Sequence, residues 1–292
     1  MGLREALAAG RFVITTEVMP PHGVDMDAFL RHADQLAGKV DAVNVTESQR
    51  AMAHCGSIAC CKHLIDHGLD AVMHLNCRDM NRLALQAHVM SGYALGIRNV
   101  LVIGGDPVKN GNQPDTKEVY DLNPGTALDM CRGLKAGVDM AGDPLAGAPL
   151  ELMTGATSNP THPDMAVEIS KTLSKIDGGA DFFQTQGIYD VERTREFMGH
   201  IRAFGVPIIA GIIPLRNAKI AEMIKYKIPG THVPDAVYER HVNATDIAAE
   251  ALEFSVETIA ALKGVVDGVH IMTIGSRKLT EAIIERVHAL GL

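Results

Sequence analysis

The chain alternates short, nearly continuous apolar runs with longer stretches whose apolar positions recur every three or four residues. The first run, Phe12-Val13-Ile14, passes into Thr15, Thr16 and Glu17 and is stopped by Pro20, Pro21 and Gly23. β-Branched and aromatic residues closed by proline predict a short buried strand. Further runs end at Thr46, near Asn76 and at Asp106, and others cover 151–156, 181–186, 206–213 and 269–274. Between them, 25–36 has helical spacing, with Met26, Phe29, Leu30, Ala33 and Leu36 on one face. The pattern predicts a helix over 48–67 stopped by Gly68, then one capped by Asp79 that ends near Leu95. It also predicts a helix over 167–176 closed by Gly178-Gly179, and a final helix to Leu290.

Runs that are continuous rather than alternating suit strands covered on both faces. Most begin about 30 residues apart, the length of one β–α unit. Eight such units predict a (β/α)8 barrel, with residues 1–292 forming a single domain. The competing doubly wound sheet would carry a Gly-x-Gly-x-x-Gly turn after an early strand, and neither that turn nor a Gly-x-x-x-x-Gly-Lys-Ser/Thr loop is present. Two intervals are longer than the rest. The first, 104–125, is rich in Gly, Pro, Asn and Asp, as binding loops are, and its Gly104-Gly105 pair allows close backbone approach to a flat ligand. The second, 226–268, includes the 228–234 stretch and an amphipathic helix to about Leu262, placed over one side of the barrel mouth.

Active sites of such barrels lie at the C-terminal ends of the strands. Those ends carry Glu17, Thr46, His74 with Asn76, Asp106, Asn159 just beyond the fifth run, Gln186, and Arg216 with Asn217 beyond the seventh. An isolated buried carboxylate costs several kcal/mol unless neutral or paired. Glu17 is therefore either a salt-bridged rim residue or a group that the protein uses.

Composition narrows the classes. A 47% apolar chain of 292 residues can bury a sizeable core, and its net charge of −8 with no Trp argues against nucleic acid and anionic membrane. No run reaches membrane-spanning length, and the charged N-terminus is unlike a signal peptide. Five cysteines, an odd number with no Cys-x-x-Cys pair, suit a reducing cytoplasm; Cys55, Cys60 and Cys61 fall on the helix predicted over 48–67 and read as small core residues. The 13 histidines include no His-Glu-x-x-His, so no protein-ligated metal is expected.

Several motifs are familiar in combination. Thr16-Glu17 with Pro20-Pro21, His74-Leu75-Asn76-Cys77, Gly105-Asp106, Lys175-x-Asp177-x-Gly179-Ala180-Asp181, Thr185-Gln186, Gly211-Ile212-Ile213-Pro214 and the Leu290-Gly291 ending resemble the methylenetetrahydrofolate reductase family from residue 12 onward. Val45-Thr46-Glu47-Ser48-Gln49-Arg50 and Cys77-Arg78-Asp79-x-Asn81-Arg82 look most like its branch in anaerobic one-carbon pathways. The resemblance implies a flavin-containing barrel, with flavin at the strands' C-terminal mouth, that reduces 5,10-methylenetetrahydrofolate to 5-methyltetrahydrofolate by ping-pong hydride transfer. It implies FAD, with FMN as the alternative, and NADH, NADPH or a reduced protein as donor. By position, Glu17 and Asp106 would be the catalytic pair, Glu17 as the general acid and Asp106 near both the flavin's pyrimidine edge, where it would also bind the cofactor, and the pterin. Thr46, His74, Asn76, Gly105, Tyr120, Gly155, Asn159, Glu168 and Lys175 would line the flavin, and Gln186 and Arg277 would join Asp106 in binding substrate. A cysteine-rich partner subunit and a homo-oligomer belong to the same expectation. The chain departs from the family pattern with Gly104 where Arg often stands, Glu47 where enteric-type members have Tyr, and Thr185-Gln186-Gly187-Ile188-Tyr189-Asp190 where they have Thr-Gln-Phe-Phe-Phe-Asp.

The chemistry agrees with the residues. Carbon held between two nitrogens accepts hydride only after one nitrogen leaves, and protonating that nitrogen near neutral pH needs a neutral acid. A Glu at an apolar strand end has its pKa raised by desolvation, and Asp106 is expected to add to that effect. Two rivals stay open: a catalytically altered barrel subunit of a larger one-carbon complex, and a pterin-binding methyltransferase barrel.

Overall fold

A computed structural model describes residues 2–228, 230–272 and 274–291, so Pro229 of the 228–234 stretch and Thr273 of the eighth run lie outside the described residues. Eight parallel strands close in chain order: β1 Val13–Val18, β2 Ala42–Val45, β3 Ala71–Asn76, β4 Asn99–Ile103, β5 Met153–Ser158, β6 Phe182–Gly187, β7 Ile208–Ile212 and β8 Gly268–Ile271. The seam pairs β1 with β8, Val13 opposite Gly268 and Thr16 opposite Ile271. The expected (β/α)8 barrel is present.

The helices are α1 Leu3–Ala8, α2 Asp27–Leu36, α3 Ser57–Asp66, α4 Arg82–Ala94, α5 Pro124–Lys135, α6 Met165–Asp177, α7 Val191–Ile201, α8 Ala218–Lys227, α9 Asp235–Val242, α10 Ile247–Leu262 and α11 Arg277–Ala289. Several start on an Asn or Asp whose side chain accepts a backbone N–H of the first turn, namely Asn81, Asn123, Asp164, Asp190, Asn217 and Asp246. The strand-to-helix loops after β3, β4, β5, β6 and β7 thus end on a side-chain cap, which fixes where those helices begin at the barrel's mouth.

Strand side chains alternate between two cores. On β1, Ile14 and Val18 face outward into the main core shared with the helices, whereas Val13 joins an inner cluster with Ala42, Val72, Leu101, Met153, Phe182 and Ile209. Leu3 and Ala6 of α1 complete that cluster and plug the barrel floor, and Asp70 anchors α1 by accepting the Leu3 N–H at 2.7 Å. The sequence pattern did not predict α1, because six residues show too little periodicity.

Three expectations are corrected. The helix predicted from Ser48 starts at Ser57. Ser48, Arg50 and Ala51 adopt left-handed backbone (φ 43°, 58° and 53°), the Ser48 carbonyl accepting from Arg78 and the Arg50 N–H donating to Asp106, and the Glu47 carboxylate accepts the Ser57 N–H at 2.8 Å where α3 begins. Cys55 therefore precedes α3, while Cys60 and Cys61 are buried on it, and all five cysteines are free thiols. Asp79 does not cap α4; Asn81 does, since Asp79 is engaged by Arg78 and Asn76. The single helix placed before Leu262 is two, α9 and α10, separated at the Asp246 cap.

Gly155 lies within β5, and a Cβ there would sit 2.3 Å from the Phe182 ring. Gly155→Ala is expected to destabilise the barrel by roughly 1–3 kcal/mol through overpacking, read as a lower thermal unfolding midpoint. A wild-type midpoint would mean that the Phe182 ring gives way freely.

Candidate active site

Above the apolar floor lies a polar layer made by the next inward residue of several strands. Thr15, Asn44, His74, Gln184 and His270 are all buried there. Asn44 and Gln184 exchange amide hydrogen bonds at 2.7 and 3.1 Å, Asn44 Nδ2 also donates to His74 Nε2 at 3.0 Å, and His270 Nδ1 lies 2.9 Å from Thr15 Oγ1. Burial pushes His74 down to about 4 and His270 to about 3, with the nearby His74 adding to the effect on His270, so both imidazoles are neutral near pH 7.

The next level up opens to solvent as a cavity of about 360 Å3. Six residues expected from the sequence meet there: Glu17, Thr46, His74, Gly105, Asp106 and Gln186. Glu47, Ser48, Gln49, Ile103, Gly104 and Thr157 complete the wall. Glu17 has one side on the cavity and protein around the rest, and its carboxyl has no hydrogen-bond partner among the described residues. Desolvation raises its pKa from 4.5 to about 7. Asp106 contributes nothing to that shift, contrary to the expectation: it is exposed, with one carboxylate oxygen accepting the Arg50 N–H at 2.9 Å. The Thr46 hydroxyl is buried and has no hydrogen-bond partner among the described residues.

The wall is held from behind. Arg78, 2% exposed, donates to the Asp106 carbonyl at 2.7 Å, to the Ser48 carbonyl at 3.2 Å and to both Asp79 carboxylate oxygens at 2.7 Å. One buried guanidinium thereby ties the loop after β2 to the loop after β4. Gly105 takes φ +89°, and a Cβ there would lie 2.2 Å from Asn76 Oδ1, so Asn76 backs the cradle rather than lining it. Tyr120 donates to the Gly105 carbonyl at 3.4 Å, and Lys175 donates to the Thr157 carbonyl at 2.5 Å, its pKa lowered by burial.

Other expected residues lie away from the cavity wall. Glu168 accepts the Asn159 N–H at 2.7 Å, and Asn159 gives its amide to the Gly230 carbonyl at 2.5 Å. Gly155 packs on Phe182, and Arg277 is exposed, reaching the Ala28 carbonyl at 3.4 Å. The residues overlooked in the sequence, Thr15, Asn44 and Gln184, do leave a signal. Each stands two positions before a mouth residue, Glu17, Thr46 or Gln186, and so faces the same way one layer lower. No group of His, Cys, Asp and Glu that could hold a metal ion occurs among the described residues.

A profile of the family described as methylenetetrahydrofolate reductase matches residues 2–288. The chain belongs to that family. It is 27% identical over 238 residues to methylenetetrahydrofolate reductase 1 of Schizosaccharomyces pombe, covering 77% of this chain and 37% of that one. It is 28% identical over 257 residues to the probable methylenetetrahydrofolate reductase (NADH) of Oryza sativa, covering 78% and 40%. With the 5,10-methylenetetrahydrofolate reductase of Pectobacterium carotovorum it shares 27% identity over 303 residues, covering 99% and 94%. The chain thus spans less than half the length of the yeast and rice relatives and nearly all of the bacterial one. Among solved structures, a tryptophan synthase of Mycobacterium tuberculosis superposes with a TM-score of 0.57 at 11% identity, covering 98% of this chain and 95% of that one. A 2,3-dimethylmalate lyase superposes with 0.51 at 15% identity, covering 99% and 85%. These likenesses show the barrel fold alone.

Glu17 has a consequence for stability. Its folded pKa is raised, from 4.5 to about 7, so its contribution is fully present below pH 4.5 and is lost as pH rises through 7. Glu17→Gln cannot ionise. It is expected to exceed wild-type stability at pH 8 by up to roughly 3 kcal/mol and to lose that advantage at pH 4. Urea unfolding at the two pH values measures the gap, and a gap that does not change with pH would show that Glu17 titrates as an ordinary surface carboxyl.

Proposed function

We propose that this protein reduces 5,10-methylenetetrahydrofolate to 5-methyltetrahydrofolate, with a flavin bound at the barrel mouth and Glu17 as the general acid. The observation that carries the reading is a carboxyl without a hydrogen-bond partner among the described residues, raised to about 7 by burial, at the wall of an open polar cavity in a chain of this family. When bound, a flavin supplies hydride transfer between a reduced donor and the folate in two successive half-reactions.

The cavity's own groups suit such a cofactor. Thr46 offers a buried hydroxyl with no partner among the described residues, His74 a neutral imidazole edge, and Gly105 a backbone that a side chain would block. These residues, with Asp106 and the Lys175-backed wall at Thr157, would hold the cofactor. FAD is the favoured form. Gln186, on the opposite wall, would bind the pterin, where its amide can both donate and accept. The donor is a reduced nicotinamide or a reduced protein partner, and the setting is the cytoplasm.

Glu17 performs the step that defines the reaction. Its carboxyl proton goes to one of the two nitrogens beside the methylene carbon, that C–N bond breaks, and the carbon becomes an iminium able to take hydride. The carboxylate left behind faces the new cation across a site shielded by protein, where the attraction is stronger than in water. General acid catalysis of this kind contributes roughly 10²–10⁴-fold.

Purified protein is expected to bind FAD or FMN; a protein that stays colourless after reconstitution with both would end the flavin reading. Glu17→Gln is expected to keep wild-type rates for reduction of the flavin by its donor and to lose the folate half-reaction by at least roughly 10²-fold. Stopped-flow measurement of each half decides it. Folate-dependent reoxidation within a few-fold of wild type would make Glu17 a rim residue. Equal loss in both halves with flavin still bound would make its role positional.

A further inference from the structure

Helix α3 begins without a side-chain cap of its own. Gly56 occupies the cap position (φ −60°, ψ 143°), and the first helical residue, Ser57, is held from the cavity wall instead. Its N–H donates to the Glu47 carboxylate at 2.8 Å and its hydroxyl to the His74 carbonyl at 3.3 Å. Glu47 and His74 both line the cavity. An apolar pair formed by the residue before the cap and the fourth residue of the helix commonly fixes the angle at which a chain enters its helix. In α3 those two positions are Cys55 and Cys60, and their thiols are in hydrogen-bond contact. The pair that staples the start of this helix is therefore made of two sulfurs.

The two thiols differ in exposure. Cys60 is buried, whereas Cys55 is half-buried. The Cys55 N–H donates to the Pro21 carbonyl at 2.9 Å, so the pair also joins the loop after β1 to α3. Packing asks only for small apolar bulk, which accounts for Cys61, Cys77 and Cys131, all buried. It does not ask for one sulfur set against another with one of the two reachable from solvent.

We propose that Cys55 and Cys60 are a redox modification site, a reversible thiol–disulfide pair oxidised by a small disulfide such as oxidised glutathione. The Cys55 thiolate attacks one sulfur of the oxidant, the sulfur–sulfur bond of the oxidant breaks, and one glutathione leaves as its thiol. The Cys60 sulfur then attacks the Cys55 sulfur of the mixed disulfide, and its proton goes to the second departing glutathione. The protein gives up two electrons and two protons, and one oxidised glutathione becomes two reduced ones. Burial pushes the Cys60 thiol up to about 12, with Cys55 beside it adding to the effect, so Cys60 stays a thiol until the mixed disulfide forms next to it. The bond closes a ring over residues 55–60 that contains Ser57, one hydrogen bond behind Glu47 of the cavity wall. The site goes beyond the flavin reading and does not rest on it.

The test is made on the whole chain, equilibrated near pH 7 in glutathione buffers of graded composition, quenched, alkylated and mapped by mass spectrometry. A Cys55–Cys60 disulfide is expected. Its ratio to the dithiol should rise tenfold for each tenfold rise in oxidised glutathione over the square of reduced glutathione, the mass action of an intramolecular bond. Dithiothreitol should return both thiols, and Cys61, Cys77 and Cys131 should remain thiols throughout. Cys60→Ala is expected to stop at a mixed disulfide on Cys55, whose ratio to free thiol follows oxidised over reduced glutathione to the first power. Wild-type protein that stops at the mixed disulfide, or that pairs Cys55 with Cys61, overturns the proposal. So does a pair that stays reduced in oxidised glutathione alone, or one that oxidises only after the native far-UV circular dichroism is lost. Should Cys60→Ala not fold, the wild-type map and its concentration dependence decide alone.

Discussion

The Glu17 carboxyl keeps a large protonated fraction near neutral pH because protein surrounds it without offering it a partner among the described residues. That single desolvation depends on the closed barrel. Parallel strands give every second residue of β1 to the interior, so Val13, Thr15 and Glu17 stack as floor, polar layer and mouth. The floor is dry because α1 plugs it with Leu3 and Ala6. Above it, amides and imidazoles satisfy one another, so the layer supporting Glu17 contains no fixed charge to pair with it. A cation in that layer would return the carboxyl to its ordinary range.

The mouth loops obey a different logic. Their backbone includes several left-handed residues, Ser48, Arg50 and Ala51 among them, each costing of order 1–3 kcal/mol unless over-determined by surroundings. The surroundings are specific. Arg78 holds the Ser48 and Asp106 carbonyls, and the Asp106 carboxylate holds the Arg50 N–H. The strain and the clasp coincide with half of the cavity wall, Glu47 to Gln49 and Gly104 to Asp106. One carboxylate oxygen of Asp106 thus serves the protein.

How much of this was legible in the sequence follows from what carries each feature. Strands buried on both faces betray themselves as continuous apolar runs, so all eight and their order could be read, with ends off by one to three residues. Glu17, Thr46, His74, Gly105, Asp106 and Gln186 were legible because strand ends in such barrels converge. The 48–56 segment was misread as helix because its conformation is imposed by Arg78 and Asp106, which lie far along the chain. Asn76, Tyr120 and Lys175 were assigned to the cofactor, whereas the structure shows each bonding to wall backbone or backing it. Sequence position alone does not separate a residue that lines a wall from one that braces it.

The wall and the layer beneath it solve one problem in two ways. An acid must be neutral before the reaction and tolerable as an anion after it, in a site that also presents hydrogen-bond donors. Burial alone raises the Glu17 carboxyl, and opening one side of it to the cavity leaves its anion within reach of solvent. Burial also lowers His74 and His270, so that neither imidazole carries a charge beside Glu17 even at mildly acidic pH. The low pKa values of the imidazoles and the high pKa of the carboxyl are thus one effect, exclusion of water from the upper barrel. A substitution that lets water into the polar layer would shift all three groups toward ordinary values together, ionising the Glu17 carboxyl at neutral pH and letting the imidazoles take up protons at mildly acidic pH.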